Sequence, residues 1–368
     1  MYQNMHFVSG SLVLAASLAL SACASGASKR SAGPVPIPEG ASISTREGEL
    51  PSWQIPNLPT AAEAYYGPDS HHLVAQVSSP KALKSPRGTE GFLTQTFTDD
   101  GREITLINDR GWDACSYYFP DGKHLVWTSI KDHPDLPPGN WSNPADYPRG
   151  AELYVSDLAG GNVRRLTDNL YYEAEASVSP DGQWIVFGRQ IDGQMDLWRM
   201  RPDGSGEARI TNTPDWEEGA PYYLPDSETI LFRAWKREDQ GRHPTPMTVF
   251  TIRHDGTQRT QRTFTDDMNW APYPAPDGRH FVFVRALDGG KNYEVFLGDL
   301  QGGEPRRLTF DAGFDGFPSI SPDGRKMVWT SSRSTGKGFM GLRLHVMDVS
   351  SLGLGPKKDR AISHRSGR

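Results

Sequence analysis

One short pattern recurs along this chain and constrains its fold more than any other feature. "SVSPDGQWIVFGR" (177–189) is a Pro-Asp-Gly turn followed by a strand of alternating character. Proline presets φ near −65° and glycine tolerates positive φ, so the tripeptide reverses the chain. The pattern returns as "FPDGKHLVWTS" (119–129), "APDGRHFVFVR" (275–285) and "ISPDGRKMVWTS" (320–331), and in weaker form as "GPDSHHLVAQV" (67–77) and "LPDSETILFRA" (224–234). The prolines stand at 68, 120, 180, 225, 276 and 322, so successive spacings are 52, 60, 45, 51 and 46. Four short strands per copy at such a period are the signature of a β-propeller. Within one copy the strands read "APYPA" (271–275), "RHFVFVRA" (279–286), "YEVFLGDL" (293–300) and "EPRRLTF" (304–310). After residue 40 no apolar run of helical period has helical length. The expected fold is therefore all-β, a six-bladed propeller of four-stranded blades.

The sixth copy lacks a fourth strand, because "RLHVMDVSS" (343–351) runs into "LGLGPKKDRAISHRSGR". Twenty residues before Pro322 stands Gly302, which opens "GGEPRRLT"; the same count before Pro68 reaches Gly48, which opens "GELPSWQI". The segment 48–55 is thus expected to join the last blade and close the ring, which removes sheet edges prone to aggregation.

Bulk properties limit the function. The chain has 368 residues, 38 of them Gly and 29 Pro, which suits a turn-rich globular protein. A net charge of −6 is a poor match for phosphate backbones, so nucleic acid is excluded as a partner. There are no CxxC, HExxH, Walker A or GxSxG motifs, and the two cysteines, Cys23 and Cys115, are not expected to pair.

The first residues read as an address. "FVSGSLVLAASLAL" (7–20) fits the apolar region of a signal peptide. It ends in Leu20-Ser21-Ala22-Cys23, which resembles the bacterial lipobox, although residues 1–6 carry no Lys or Arg. The resemblance implies that residues 1–22 are a lipoprotein signal peptide and that Cys23 is diacylated. Ala24, in place of Asp, implies the outer membrane, at its periplasmic face or at the cell surface. Two acyl chains anchor stably. Residues 23–46, rich in Ala, Ser, Gly and Pro, are expected to form a flexible tether; 47–351 form the propeller and 352–368 a disordered basic tail.

The Pro-Asp-Gly repeats, followed by a β-strand and then by an Arg- and Thr-containing strand, resemble the TolB-like propeller family over about residues 48–351. The family's namesake carries an N-terminal α/β domain that is not expected here, so the nearer resemblance is to propeller-only TolB-like lipoproteins. In that topology the residues seven before each proline lie at the mouth of the central channel. They are Ala61, Asp113, Glu173, Glu218, Asn269 and Asp315. Two readings stand. Five polar side chains could converge on a cationic group or Ca²⁺, the one candidate cofactor, or each could cap its own loop. Three before each proline stand Tyr65, Tyr117, Ser177, Tyr222, Tyr273 and Ser319, a register that lines or plugs the channel.

Two loops exceed the needs of the repeat, 131–150, with Trp141 and Tyr147, and 236–247. They read either as partner-binding loops or as covers for blade edges. The histidines, among them His71, His72, His124, His254 and His280, show no metal-ligand spacing, and Cys115 reads as a buried thiol. The function expected is that of a monomeric, non-enzymatic envelope lipoprotein whose propeller binds a protein, peptide or polysaccharide at its channel mouth and long loops. The alternative is a metal-dependent polysaccharide-processing lyase or hydrolase with its site in the channel, since related repeats occur in an oligogalacturonate lyase. A serine-peptidase propeller would need a hydrolase domain for which the sequence has no nucleophile elbow.

Overall fold

The computed structural model describes residues 33, 35–84, 88, 90–335 and 341–357. The chain divides into two units, 1–34 and 35–368, and nearly all described residues belong to the second. The expected signal peptide, Cys23 and the first part of the tether lie outside the described residues, as does the tail from 358 on.

Six antiparallel sheets of four strands follow one another along the chain, each ordered from the inside outward. Their innermost strands are Ala61–Tyr66, Asp113–Tyr118, Tyr172–Val178, Trp216–Tyr223, Asn269–Pro274 and Asp315–Ile320, for blades 1 to 6. The outermost strands of blades 1 to 5 are only two residues long, as in Thr105–Leu106 and Arg164–Arg165. Blade 6 takes its outer strand from the start of the propeller: Ser52–Gln54 pairs with Arg343–Asp348, with Trp53 opposite Val346. Ring closure therefore occurs where the Gly/Pro match places it.

The apolar core lies in the seams between blades. Ile185 and Phe187 of blade 3 pack on Val126 and Leu153 of blade 2, and Phe281 and Phe283 of blade 5 on Leu231 and Val249 of blade 4. The closing seam joins Val328, Leu344 and Val346 of blade 6 to Ala61, Leu73 and Val77 of blade 1. Each blade is a sheet buried on both faces, so its middle strands are nearly continuous apolar runs.

Two expected boundaries shift. The tether expected as far as residue 46 ends earlier: Val35 is buried with Trp53 and Ile55, Ser44 bridges to Ser52, and Arg46 pairs with Asp311. A branched apolar side chain over a seam gains more from burial than a tether gains from freedom. The tail expected from 352 starts later: Leu354 is fully buried in the core and Gly355 lies against Asp323 and Gly324. The propeller thus extends from about 35 to about 355.

The repeated turns explain three of the scattered histidines. In every copy the Asp carboxylate accepts a backbone N–H two residues on, as from Lys123 to Asp121 (2.8 Å) and from Arg279 to Asp277 (2.9 Å). In three copies its second oxygen meets a histidine Nδ1 at 2.6 Å, in the pairs Asp69/His72, Asp121/His124 and Asp277/His280. The residue after the Asp must be left-handed: Gly122 has φ 63° and Gly182 has φ 71°. The two weaker copies place Ser70 and Ser227 there, at φ 60° and 59°. Each serine gives something back, since its hydroxyl accepts the amide of an aspartate in an adjacent turn, Asp323 or Asp181.

Candidate functional site in the central channel

The six residues seven before each proline do begin the innermost strands, but they do not converge on the channel. All are 0 or 1% exposed. Asp113 accepts hydrogen bonds from the Thr94 amide (2.8 Å) and Asn108 Nδ2 (2.7 Å) of blade 1. Glu173 takes Arg189 Nε at 2.5 Å, and Glu218 takes Arg259 Nη1 at 2.8 Å together with the Thr213 hydroxyl. Asn269 accepts from Arg285 Nε (3.0 Å), and Asp315 from Trp329 Nε1 (3.0 Å) and Arg333 Nη2 (2.6 Å). Burial pushes the Asp113 carboxyl up to about 6 and raises Glu173, Glu218 and Asp315 as well, with these partners pulling the other way. Asp113 ties blade 2 to blade 1, and the other four fasten strands chiefly within their own blades. Among the described residues, no group of three or more His, Cys, Asp or Glu is placed to hold a metal ion.

The physical reason is a β-bulge in every innermost strand. The register shifts between Ala62 and Tyr65, Ala114 and Tyr117, Ala174 and Ser177, Gly219 and Tyr222, Trp270 and Tyr273, and Gly316 and Ser319. An inserted residue reverses the alternation, so positions before and after it no longer share a face. The bulge residues are Glu63, Cys115, Glu175, Ala220, Ala271 and Phe317, all non-glycine and all left-handed, with φ from 45° to 58°. Such a conformation costs about 1 kcal/mol or more per residue and persists only where the surroundings impose it.

After the bulge, the residues three before each proline do reach the axis. Tyr65, Tyr117, Tyr222 and Tyr273, from blades 1, 2, 4 and 5, meet there with ring centres 5.0 to 6.1 Å apart. Their hydroxyls pair, Tyr65 with Tyr222 and Tyr117 with Tyr273 (3.0 Å). Ser177 and Ser319 instead donate to the carbonyls of Pro221 (2.7 Å) and Ala64 (2.8 Å) in neighbouring blades. Four phenols plug the channel at this level.

Next to the plug, toward the start of the innermost strands, lies the bulge ring. Tyr65 donates to Glu63 Oε1 at 3.2 Å, and the Glu63 amide donates to Thr330 Oγ1 at 3.0 Å. Burial, helped by the nearby Glu175 carboxylate, pushes Glu63 up to about 7 against the lowering effect of the Cys115 thiol and the Tyr65 hydroxyl. Glu175 is better satisfied: Arg233 Nη2 donates at 2.8 Å and the Ala220 amide at 2.7 Å. Cys115 lies between the two carboxylates, and burial and both charges raise its thiol well above the ordinary value. It is inert as a nucleophile. In the second strands behind the ring, Arg233 lies over Trp235 (4.6 Å) with Nε and Nη1 unpartnered. Gln76 donates to Ser116 Oγ (2.8 Å), and its Oε1 has no partner.

The 131–150 loop rises from this same end of the molecule, because Ser129 pairs with Asp113 at the start of the innermost strand. Its aromatics turn inward. Tyr147 stacks on Tyr172 of blade 3 at 4.1 Å, Trp141 meets the same ring edge-on at 6.0 Å, and Gln190 Nε2 donates to the Pro144 carbonyl (3.0 Å). Trp141 and Tyr147 are half-buried, which leaves Ser142, Asn143, Ala145 and Asp146 outermost. The loop covers a blade edge and borders the channel mouth. The 236–247 loop is pinned by Arg242 to Asp239 (2.7 Å) and Asp266 (3.0 Å).

Sequence reasoning missed Glu63, Glu175, Gln76 and Arg233. The available signal was disagreement. Five before each proline the copies read Glu, Cys, Glu, Ala, Ala and Phe, a position with no shared chemistry inside a strongly repeated frame.

No protein-family model matches the chain. It is 30% identical over 174 residues to an uncharacterized protein of Agrobacterium fabrum, a match covering 45% of this chain and 52% of that one. It is 29% identical over 134 residues to the Tol-Pal system protein TolB of Anaeromyxobacter dehalogenans, over 36% of this chain and 26% of that one. The matches thus span about half the length of these curated relatives or less. Among solved structures, the putative TolB from Agrobacterium tumefaciens superposes with a TM-score of 0.55 at 19% identity, covering 79% of this chain and 90% of that one. An oligogalacturonate lyase from Vibrio parahaemolyticus superposes with a TM-score of 0.56 at 11% identity, covering 86% and 99%. In fold the chain is a TolB-like six-bladed β-propeller.

Proposed function

We propose that this protein is a non-catalytic binding module of the bacterial envelope, anchored through Cys23, whose channel mouth at the bulge ring takes a segment of a protein partner. One observation carries the reading. The channel is plugged by four tyrosines, and next to the plug six left-handed residues present different side chains from a common backbone frame. A cup of this kind suits reception of a ligand from one end. The likeness to TolB, named as a Tol-Pal system protein, supports an envelope setting and protein recognition in general. Likeness to the lyase extends to the fold. An oligogalacturonate is a polyanion, and a mouth bearing Glu63 and Glu175 against Arg233 is a poor electrostatic match for it.

The test is photo-crosslinking in intact cells from the full-length protein, with the crosslinker at Ser142 beside the mouth or at Lys123 in a Pro-Asp-Gly turn at the opposite end. A single dominant protein adduct from Ser142 and none from Lys123 is the expected result. Adducts only from Lys123, or no protein adduct from either position, would overturn the reading.

A further inference from the structure

The bulge ring is unevenly provided. Glu175 has a cation, Arg233, at 2.8 Å. Glu63 has none within 4 Å among the described residues, although it is part-buried and next to a second carboxylate. Its Oε1 takes the Tyr65 hydroxyl, and the Cys115 thiol and amide also donate toward the carboxylate, so all of its donors are uncharged. A second acceptor stands beside it. Gln76 is 4% exposed and pairs across the strand with Ala62, the residue before Glu63. Its Nε2 is engaged by Ser116, the residue after Cys115, and its Oε1 has no partner. A buried amide oxygen without a donor is unfavourable, and a buried carboxylate without a cation more so. A carboxylate without a cation and an amide oxygen without a donor therefore stand between the bulges of blades 1 and 2.

The rest of the ring defines what such a pair can receive. The floor consists of the rings of Tyr65, Tyr117, Tyr222 and Tyr273. Across from Glu63 the bulges of blades 4 and 5 carry only the methyl groups of Ala220 and Ala271. Phe317 of blade 6, edge-on to Trp270 at 4.6 Å, supplies an apolar wall. Carboxylate, amide oxygen and aromatic faces around a partly desolvated space attract an ammonium or guanidinium group. The free Nε and Nη1 of Arg233 suit main-chain carbonyls of the segment that carries such a group.

We propose that the channel mouth receives a lysine or arginine side chain of a protein partner, with the Glu63 carboxylate and Gln76 Oε1 as its acceptors and the tyrosine plug beneath it. This rests on the reading of the mouth as a protein-binding site.

The experiment uses the full chain and the N-acetyl methylamides of lysine, arginine, norleucine and glutamate, titrated by ligand-observed NMR at pH 8. Lysine or arginine amide is expected to bind at least ten times more tightly than the norleucine and glutamate amides. Glu63→Gln is expected to remove at least ten-fold of that affinity. Glu103→Gln, in an exposed position by His72, is expected to leave it unchanged. Equal binding of norleucine and lysine amides, or full affinity in E63Q, would overturn the proposal. Cation binding without any protein adduct in cells would leave this site standing and overturn the proposed function. A protein adduct undiminished in an E63Q protein that has lost no lysine affinity would do the reverse.

Discussion

Glu63 is placed where an ionised carboxyl is costly, and that cost is measurable without any ligand. Its carboxyl is pushed from 4.5 to about 7 in the folded protein, chiefly by burial, with Glu175 adding to the effect and the Cys115 thiol and Tyr65 hydroxyl opposing it. A folded-state value above the unfolded one means that the native protein holds the proton more tightly. Below about pH 4.5 both states are protonated and Glu63 costs nothing. Between about 4.5 and 7 stability falls, and above about 7 the cost is complete, at about 3 kcal/mol. Partial access of solvent to the mouth brings the expectation to about 2–3 kcal/mol. Glu63→Gln keeps the shape and removes the charge. Urea unfolding of both proteins should give closely similar stabilities at pH 4.5, and at pH 8.5 the variant should be more stable by about 2–3 kcal/mol. Asp113 and Glu217, raised to about 6 and about 7, are common to both proteins and cancel in the difference. A difference that does not change with pH would refute the reasoning, as would a variant less stable at pH 8.5.

Three further outcomes follow from the packing. Arg333→Ala strips the cation from Glu49 and Asp315, two carboxylates with side chains 0 and 1% exposed; it should cost about 3–5 kcal/mol and speed hydrogen exchange at Ser52–Gln54 before other strands. Tyr222→Ala empties one quarter of the plug and should cost about 3–5 kcal/mol in urea unfolding, whereas Tyr222→Phe, which loses only the hydroxyl contact to Tyr65, should cost about 1 kcal/mol. Tyr147→Ala removes the stack on Tyr172; limited proteolysis should then cut within 131–150 while global stability falls by only about 1 kcal/mol.

The architecture was legible because it rests on local rules repeated six times. Pro-Asp-Gly fixes a turn by its own dihedrals and by the Asp hydrogen bonds, so Pro120, Asp121 and Gly122 mean the same in isolation as in the ring. Even the closing strand could be located, from Gly48 and Pro51 in the frame of Gly302 and Pro305. The tyrosine register was also readable, since Tyr65, Tyr117, Tyr222 and Tyr273 share one offset. The facing of Asp113, Glu173, Glu218, Asn269 and Asp315 was not. A bulge adds one residue to a strand without a composition of its own: Glu, Cys, Ala and Phe all occupy it here. Without the bulge, positions seven and three before the proline would share a face, and the acids would have lined the channel. Val35 and Leu354 were missed for another reason, because a single apolar residue in a polar stretch says nothing about the seam that accepts it.

The left-handed bulge separates two duties that most strands combine. Its backbone is held by pairing on either side, as Ala62 with Gln76 and Tyr65 with Val74 around Glu63. The side chain at the bulge therefore takes no part in fixing the strand register. Six such sockets surround one axis, so the chemistry of the mouth can be rewritten one blade at a time, from acid to thiol to methyl to phenyl, while the chassis keeps its register. Such a ring can change what it recognises by single substitutions, without first losing its shape.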